Sequence, residues 1–135
     1  MADDKFFSLE IISPERVFYK GQVNFLELTT SEGDVGIYKD HIPMTNVVVP
    51  GIVTIHEADG VKEAAVHSGF MVILQDSVKI MAEVAEWPDE IDENRANEAK
   101  IRAERRLKEG GPGVNMMRAE AALKRSITRL NLIGK

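Results

Sequence analysis

The run Glu86-Trp87-Pro88-Asp89-Glu90 separates two stretches of chain that cannot share one kind of secondary structure. Ahead of it, apolar residues alternate with polar ones and turn residues recur every few positions. In Lys5 to Ile12, Phe7, Leu9 and Ile11 alternate with Ser8 and Glu10, the period of a half-buried strand. Further strands are expected at Val17 to Tyr19, Val23 to Thr30, Gly51 to Glu57, Val61 to Val66, Phe70 to Leu74 and Val78 to Ala85. Ser13-Pro14-Glu15, Ser31-Glu32-Gly33-Asp34 and Asp76-Ser77 read as turns, and Ala58-Asp59-Gly60 as a hairpin cue. Gly33 and Gly36 read as turn glycines, and Ser68-Gly69 as an interruption between two strands. Short strands with frequent turns argue for an all-β sandwich or barrel.

Beyond the run, Ala, Glu, Arg and Lys dominate. Asp92 is placed to cap a helix to about Glu109, with Ala96, Ala99, Ala103 and Leu107 on one face. Gly110-Gly111-Pro112-Gly113 must stop it, because proline cannot continue a helix. Asn115 can cap a second helix to about Leu132, with a stripe of Met116, Ala119, Leu123, Ile127 and Leu130. The expected architecture is an all-β N-terminal sandwich, residues 1–86, followed by an antiparallel α-helical hairpin, residues 87–135: β then α, two domains. Alanine offers little apolar area, since each buried CH₂ contributes only about 0.8 kcal/mol. Helices this short depend on tertiary contacts. The hairpin is therefore expected to hold weakly and to be detachable.

Charge narrows the function classes. Residues 1–85 carry 6 Lys/Arg against 13 Asp/Glu, whereas residues 86–135 carry 11 against 9. An acidic front does not suit nucleic acid, whose binding rests on a basic surface. With no cysteine, thiolate catalysis and Cys-based zinc sites are excluded. Met1-Ala2-Asp3-Asp4-Lys5 predicts no signal peptide, and no window approaches the roughly 20 apolar residues of a membrane span, so no direct membrane insertion is expected. No catalytic set and no metal site are expected. His41, His56 and His67 lack metal-ligand spacing, His56 and His67 are candidate cross-strand neighbours, and no Walker A loop or Gly-x-Ser-x-Gly occurs. The chemistry-bearing residues gather in the tail. Asp92 and Arg95 lie three apart, Arg102 follows on nearly the same face, and Arg125 and Arg129 lie four apart on the second helix. An antiparallel hairpin brings Arg125 and Arg129 toward the start of the first helix. Guanidinium forks suit phosphate oxygens, and a carboxylate can accept from an adenine amino group. The same residues would equally make a solvated, salt-bridged helix surface, with pairs such as Glu98–Arg102 and Glu120–Lys124.

Three motifs carry a resemblance over nearly the full length. Ser31-Glu32-Gly33-Asp34-Val35-Gly36-Ile37-Tyr38-Lys39-Asp40-His41-Ile42-Pro43 is similar to S-E-G-E-L-G-I-x-x-G-H-x-P. It departs at Asp34, Val35 and Asp40, the last standing where the family often has a Gly able to take φ > 0 at less cost. Ser68-Gly69-Phe70 is similar to S-G-G-[FI] with one Gly lost, and Ile91-Asp92-Glu93-Asn94-Arg95-Ala96 fits [IL]-D-x-x-R-A. The chain thereby resembles the epsilon subunit of bacterial rotary ATP synthase. The resemblance implies a non-catalytic rotor subunit on the cytoplasmic face of the membrane. Its sandwich would bind the gamma subunit and rest on the c-ring, with contacts from Glu32, Asp34 and His41. It implies a mobile hairpin that extends toward the α/β catalytic hexamer and restrains hydrolysis. It also implies ATP as a regulatory ligand, with no cofactor required. Glu86, Ile91, Asp92 and Ala96 would lie toward the adenosine, and Arg95, Arg102, Arg125 and Arg129 toward the phosphates. A passive brace without nucleotide and a small-molecule enzyme on a β-sandwich are the competing readings.

Overall fold

The computed structural model describes residues 5–134, so the reading made on Met1 to Asp4 lies outside the described residues. Eight strands come first: β1 (Phe7–Ile12), β2 (Val17–Val23), β3 (Phe25–Thr30), β4 (Gly33–Ile37), β5 (Met44–Val48), β6 (Gly51–Glu57), β7 (Gly60–Ile73) and β8 (Ser77–Glu86). A 3₁₀ turn, Pro88–Glu90, leads to helices α1 (Glu93–Glu109) and α2 (Met116–Ile133). The sandwich-then-hairpin expectation holds.

The longest strands tie the two layers together. The second half of β7 pairs with β5, its first half with β6, and β8 runs antiparallel beside both. One layer continues from β8 through β1 to β2; among the described residues, β1–β8 is parallel and the other strand pairs are antiparallel. The other continues from β6 through β3 to β4. Between them lies a core that includes Leu9, Ile11, Leu26, Ile55, Met71 and Ile80, each 0–1% exposed. In β1, Phe7, Leu9 and Ile11 face inward as their alternation requires.

Three expectations about strands need correction. First, Ser68-Gly69 does not split β7. Ser68 takes φ 52°, which bends the strand and switches which parity of residues faces the core. Gly69 lets β8 approach: a Cβ there would sit 2.1 Å from the Met81 carbonyl oxygen. Gly69→Ala must displace that backbone and is expected to destabilise the sandwich by about 1–3 kcal/mol in urea unfolding. Second, Gly36 lies inside β4 rather than in a turn. A Cβ there would meet the Phe25 ring at 2.8 Å, so glycine makes room for the aromatic side chain. Third, β5 carries no cue strong enough to announce it. Three of its five residues are exposed, and it is a strand because β7 pairs with it from Met44 to Val48.

The helices begin where their caps lie. The Asp92 side chain accepts from the Arg95 backbone N–H at 3.1 Å, and Asn115 from Arg118 at 3.1 Å. Gly110, Gly111 and Gly113 all take positive φ in the connecting loop. Ala96 and Ala103 are buried as expected. The expected α2 stripe fails in part, because Met116 and Ile127 are 42% and 38% exposed. The reason is that α2 lies between α1 and strands β6 and β7, so it needs two contact faces rather than one. Ala119 and Ser126 are small enough for close approach, and the Ser126 hydroxyl satisfies itself on the Ala122 carbonyl at 2.9 Å.

The junction is held to the sandwich. Trp87 packs on the core and stacks on Phe18, with centroids 4.3 Å apart, and presents an edge contact to Tyr19. Arg16 donates to Glu90 Oε1 at 2.7 Å, and that bond holds the Glu90 carboxyl below its ordinary range. No helix among the described residues is long and apolar enough to cross a membrane.

Candidate ligand cleft at the hairpin junction

Where β8 ends, the chain, the sandwich and both helices meet around an open cleft of about 440 Å³. Strand β8 delivers Glu86 to it, and the segment after the 3₁₀ turn delivers Ile91. From α1 come Asp92 at the cap, Arg95, Ala96 and, two turns further on, Arg102. From α2 comes Arg129. Seven of the eight residues expected around a nucleotide therefore border one cleft. Arg125 does not; it sits one turn before Arg129, at the next position along that helix face. Glu90, Glu98 and Ala99 border the cleft as well and were not anticipated. Spacing signals them only faintly: Glu98 and Ala99 stand one turn from Arg95 and Arg102 on the same helix.

The centre of the junction is the Glu86 carboxylate. Its Oε1 accepts from Arg129 Nε at 2.7 Å, joining sandwich to α2. The same oxygen lies 3.1 Å from His67 Nε2. Burial works against ionisation of Glu86. The hydrogen bonds from His67 and Arg129 outweigh it and hold the carboxyl below its ordinary value. His67 is 1% exposed and faces Val84 across β7 and β8, while His56 faces Val61. The two histidines are thus not cross-strand neighbours, because the β7 partner of His56 is Val61, six residues before His67.

A folded carboxyl below its unfolded value of 4.5 adds stability that is complete above that value and is lost as pH falls through the depressed one. Docking of α2 is therefore expected to be flat in its Glu86 contribution through the neutral range and to weaken only as pH falls below the ordinary carboxyl value of 4.5. An NMR titration following α2 amide shifts checks this. A midpoint near neutrality would remove Glu86 from the explanation.

The residues expected to contact partners lie elsewhere. Glu32 and Asp34 stand exposed at the β3–β4 turn, where Thr29 donates to Asp34 Oδ1 at 2.8 Å. His41 lies in the β4–β5 loop, between the exposed Tyr38 and Ile42. Asp40 takes φ 66° in that loop, a conformation Asp tolerates better than most residues. No cluster of three or more His, Cys, Asp or Glu suited to a metal occurs among the described residues.

The chain matches two family descriptions that divide it at this junction. Residues 6–88 match "ATP synthase, Delta/Epsilon chain, beta-sandwich domain", and residues 89–134 match "ATP synthase, Delta/Epsilon chain, long alpha-helix domain". An ATP synthase epsilon chain of Caldanaerobacter subterraneus subsp. tengcongensis is 44% identical over 133 residues, 98% of this chain and 96% of that one. The epsilon chain of Alkaliphilus metalliredigens is 42% identical over 93% of this chain and 94% of that one. A chain in a structure of Euglena gracilis mitochondrial ATP synthase, OSCP/F1/c-ring, shares the fold with a TM-score of 0.83 at 20% identity, over 96% of this chain and 82% of that one. With both halves matched and near full-length relatives above 40% identity, the chain belongs to the ATP synthase epsilon chain family, whose members are non-catalytic subunits of that enzyme.

Proposed function

We propose that the sandwich carries the chain on the rotor, bound to the gamma subunit and the c-ring on the cytoplasmic face of the membrane. The hairpin is then a releasable regulator that ATP holds down. The observation that carries the regulatory half is the single cleft shared by Glu86, Ile91, Asp92, Arg95, Ala96, Arg102 and Arg129. Carboxylates flank its β8 end and three guanidiniums border it, which suits a ligand with an amine-bearing base and a polyphosphate. A nucleotide there touches the sandwich junction, α1 and α2 at once. It binds the docked hairpin more tightly than the released one, which is the condition for shifting the balance. At low ATP the hairpin releases, and α2 with Lys124, Arg125 and Arg129 extends along the gamma shaft to acidic groups of the α/β hexamer, opposing hydrolysis.

The docking half rests on surface chemistry. Val47, Phe70 and Met81 stand opposite one another across β5, β7 and β8 and are 47%, 56% and 44% exposed. An apolar row on an outer sheet face fits a protein partner. The loop with His41 and Ile42, and the turn with Glu32 and Asp34, offer a second, mixed contact.

Deleting residues 88–135 and assaying ATP hydrolysis in the assembled enzyme tests the regulatory role. Faster hydrolysis is expected; an unchanged rate removes inhibition and leaves the rotor role standing.

A further inference from the structure

One buried group at the junction is not used by the ligand reading. His67 lies on β7 at the parity opposite to Ala64 and Val66 of the core cluster, and Glu86 links it to Arg129 of α2. His67 is 1% exposed, and its Nδ1 has no hydrogen-bond partner among the described residues. Leaving half of a buried imidazole unpaired is unfavourable. The polar contact that remains to the ring is Nε2 to Glu86 Oε1, at 3.1 Å. That oxygen is also the one Arg129 takes.

The arrangement has a consequence for Glu86. The side chain closes β8, is 21% exposed and borders the cleft. A glutamate free to sample its rotamers loses side-chain entropy when it is fixed. His67 belongs to the rigid sandwich, so it can hold the carboxylate in place whether or not α2 is present. The Arg129 bond then forms against an acceptor already aimed.

We propose that His67 is the positioning residue of the Glu86 carboxylate, and that it sets both how firmly α2 docks and how Glu86 is presented to a nucleotide in the cleft. The second part rests on the ATP reading above, and the first does not. Direct contact of His67 with the ligand is not part of the assignment, since its ring is covered.

Limited trypsin digestion of the nucleotide-free chain tests it, because the rate of cleavage within the hairpin follows the undocked population. His67→Leu fills the site without a donor and is expected to speed cleavage about tenfold, as for one lost hydrogen bond to a charged group. His67→Gln, which keeps an N–H donor at similar reach, is expected to stay close to the native rate. In a Glu86→Gln background, His67→Leu is expected to add less than about twofold, because the carboxylate it serves is gone. An equal acceleration with and without the Glu86 carboxylate would overturn the proposal, as would a glutamine variant that behaves like the leucine one. Calorimetric titration of the same proteins with ATP keeps the two readings apart. Absence of ATP heat in the native chain defeats the nucleotide reading, while the digestion rates still decide the role of His67.

Discussion

Arg129→Ala is expected to weaken docking of the hairpin by about 1.5–3 kcal/mol, the range for a hydrogen bond to a charged group. This is the largest single effect anticipated at the junction. The guanidinium is 24% exposed and Glu86 21%, so the pair is neither a surface bridge that water replaces nor a fully dry one. Removing Arg129 leaves Glu86 with His67 alone, in a site already costly for a carboxylate. The loss falls on the hairpin and not on the sandwich, whose core cluster draws no residue from either helix. Two transitions in urea, seen by helix circular dichroism and by Trp87 fluorescence, should therefore separate in the variant. Trp87 reports the sandwich because it stacks on Phe18. A single coincident transition in the variant would mean that hairpin and sandwich unfold as one unit.

The second large effect concerns the ligand. Arg95→Ala with Arg102→Ala removes two of the three guanidiniums that border the cleft. Each charge-assisted bond to phosphate is worth about 1.5–3 kcal/mol, so affinity for ATP is expected to fall at least about a hundredfold. Arg125→Ala is expected to change it by less than about threefold, because Arg125 does not border the cleft. Isothermal titration of both variants against the native chain distinguishes a built site from general attraction of an anion to a basic tail. Equal losses in the two variants would favour the latter.

How much of this was readable beforehand depended on whether the signal was local. Both helix starts were, because Asp92 and Asn115 act on backbone N–H groups three residues away. The inward face of β1 was also readable, since its alternation is unbroken. What escaped was set by neighbours distant in sequence. Strand β5 exists through its pairing with β7, and the continuity of β7 depends on Gly69 facing the Met81 carbonyl. The rotation of α2, exposing Ile127, follows from the sandwich beneath it, which no helical period can reveal. The cleft shows the same division. Arg95 and Arg102 share a helix face by spacing alone, while Arg129 reaches Glu86 across 43 residues of chain. His67 lies 19 residues from its carboxylate, and no motif pairs them.

In the function proposed above, a rigid β-platform carries a pair of helices able to let go while the platform stays folded. Native-state amide hydrogen exchange on the isolated chain tests it most directly. The prediction is that α2 amides exchange through an opening several kcal/mol cheaper than the one that frees the amides of Leu26, Ile55 and Ile80, and that adding ATP slows α2 alone. Exchange of helices and core strands at one common opening energy, unchanged by ATP, would contradict it.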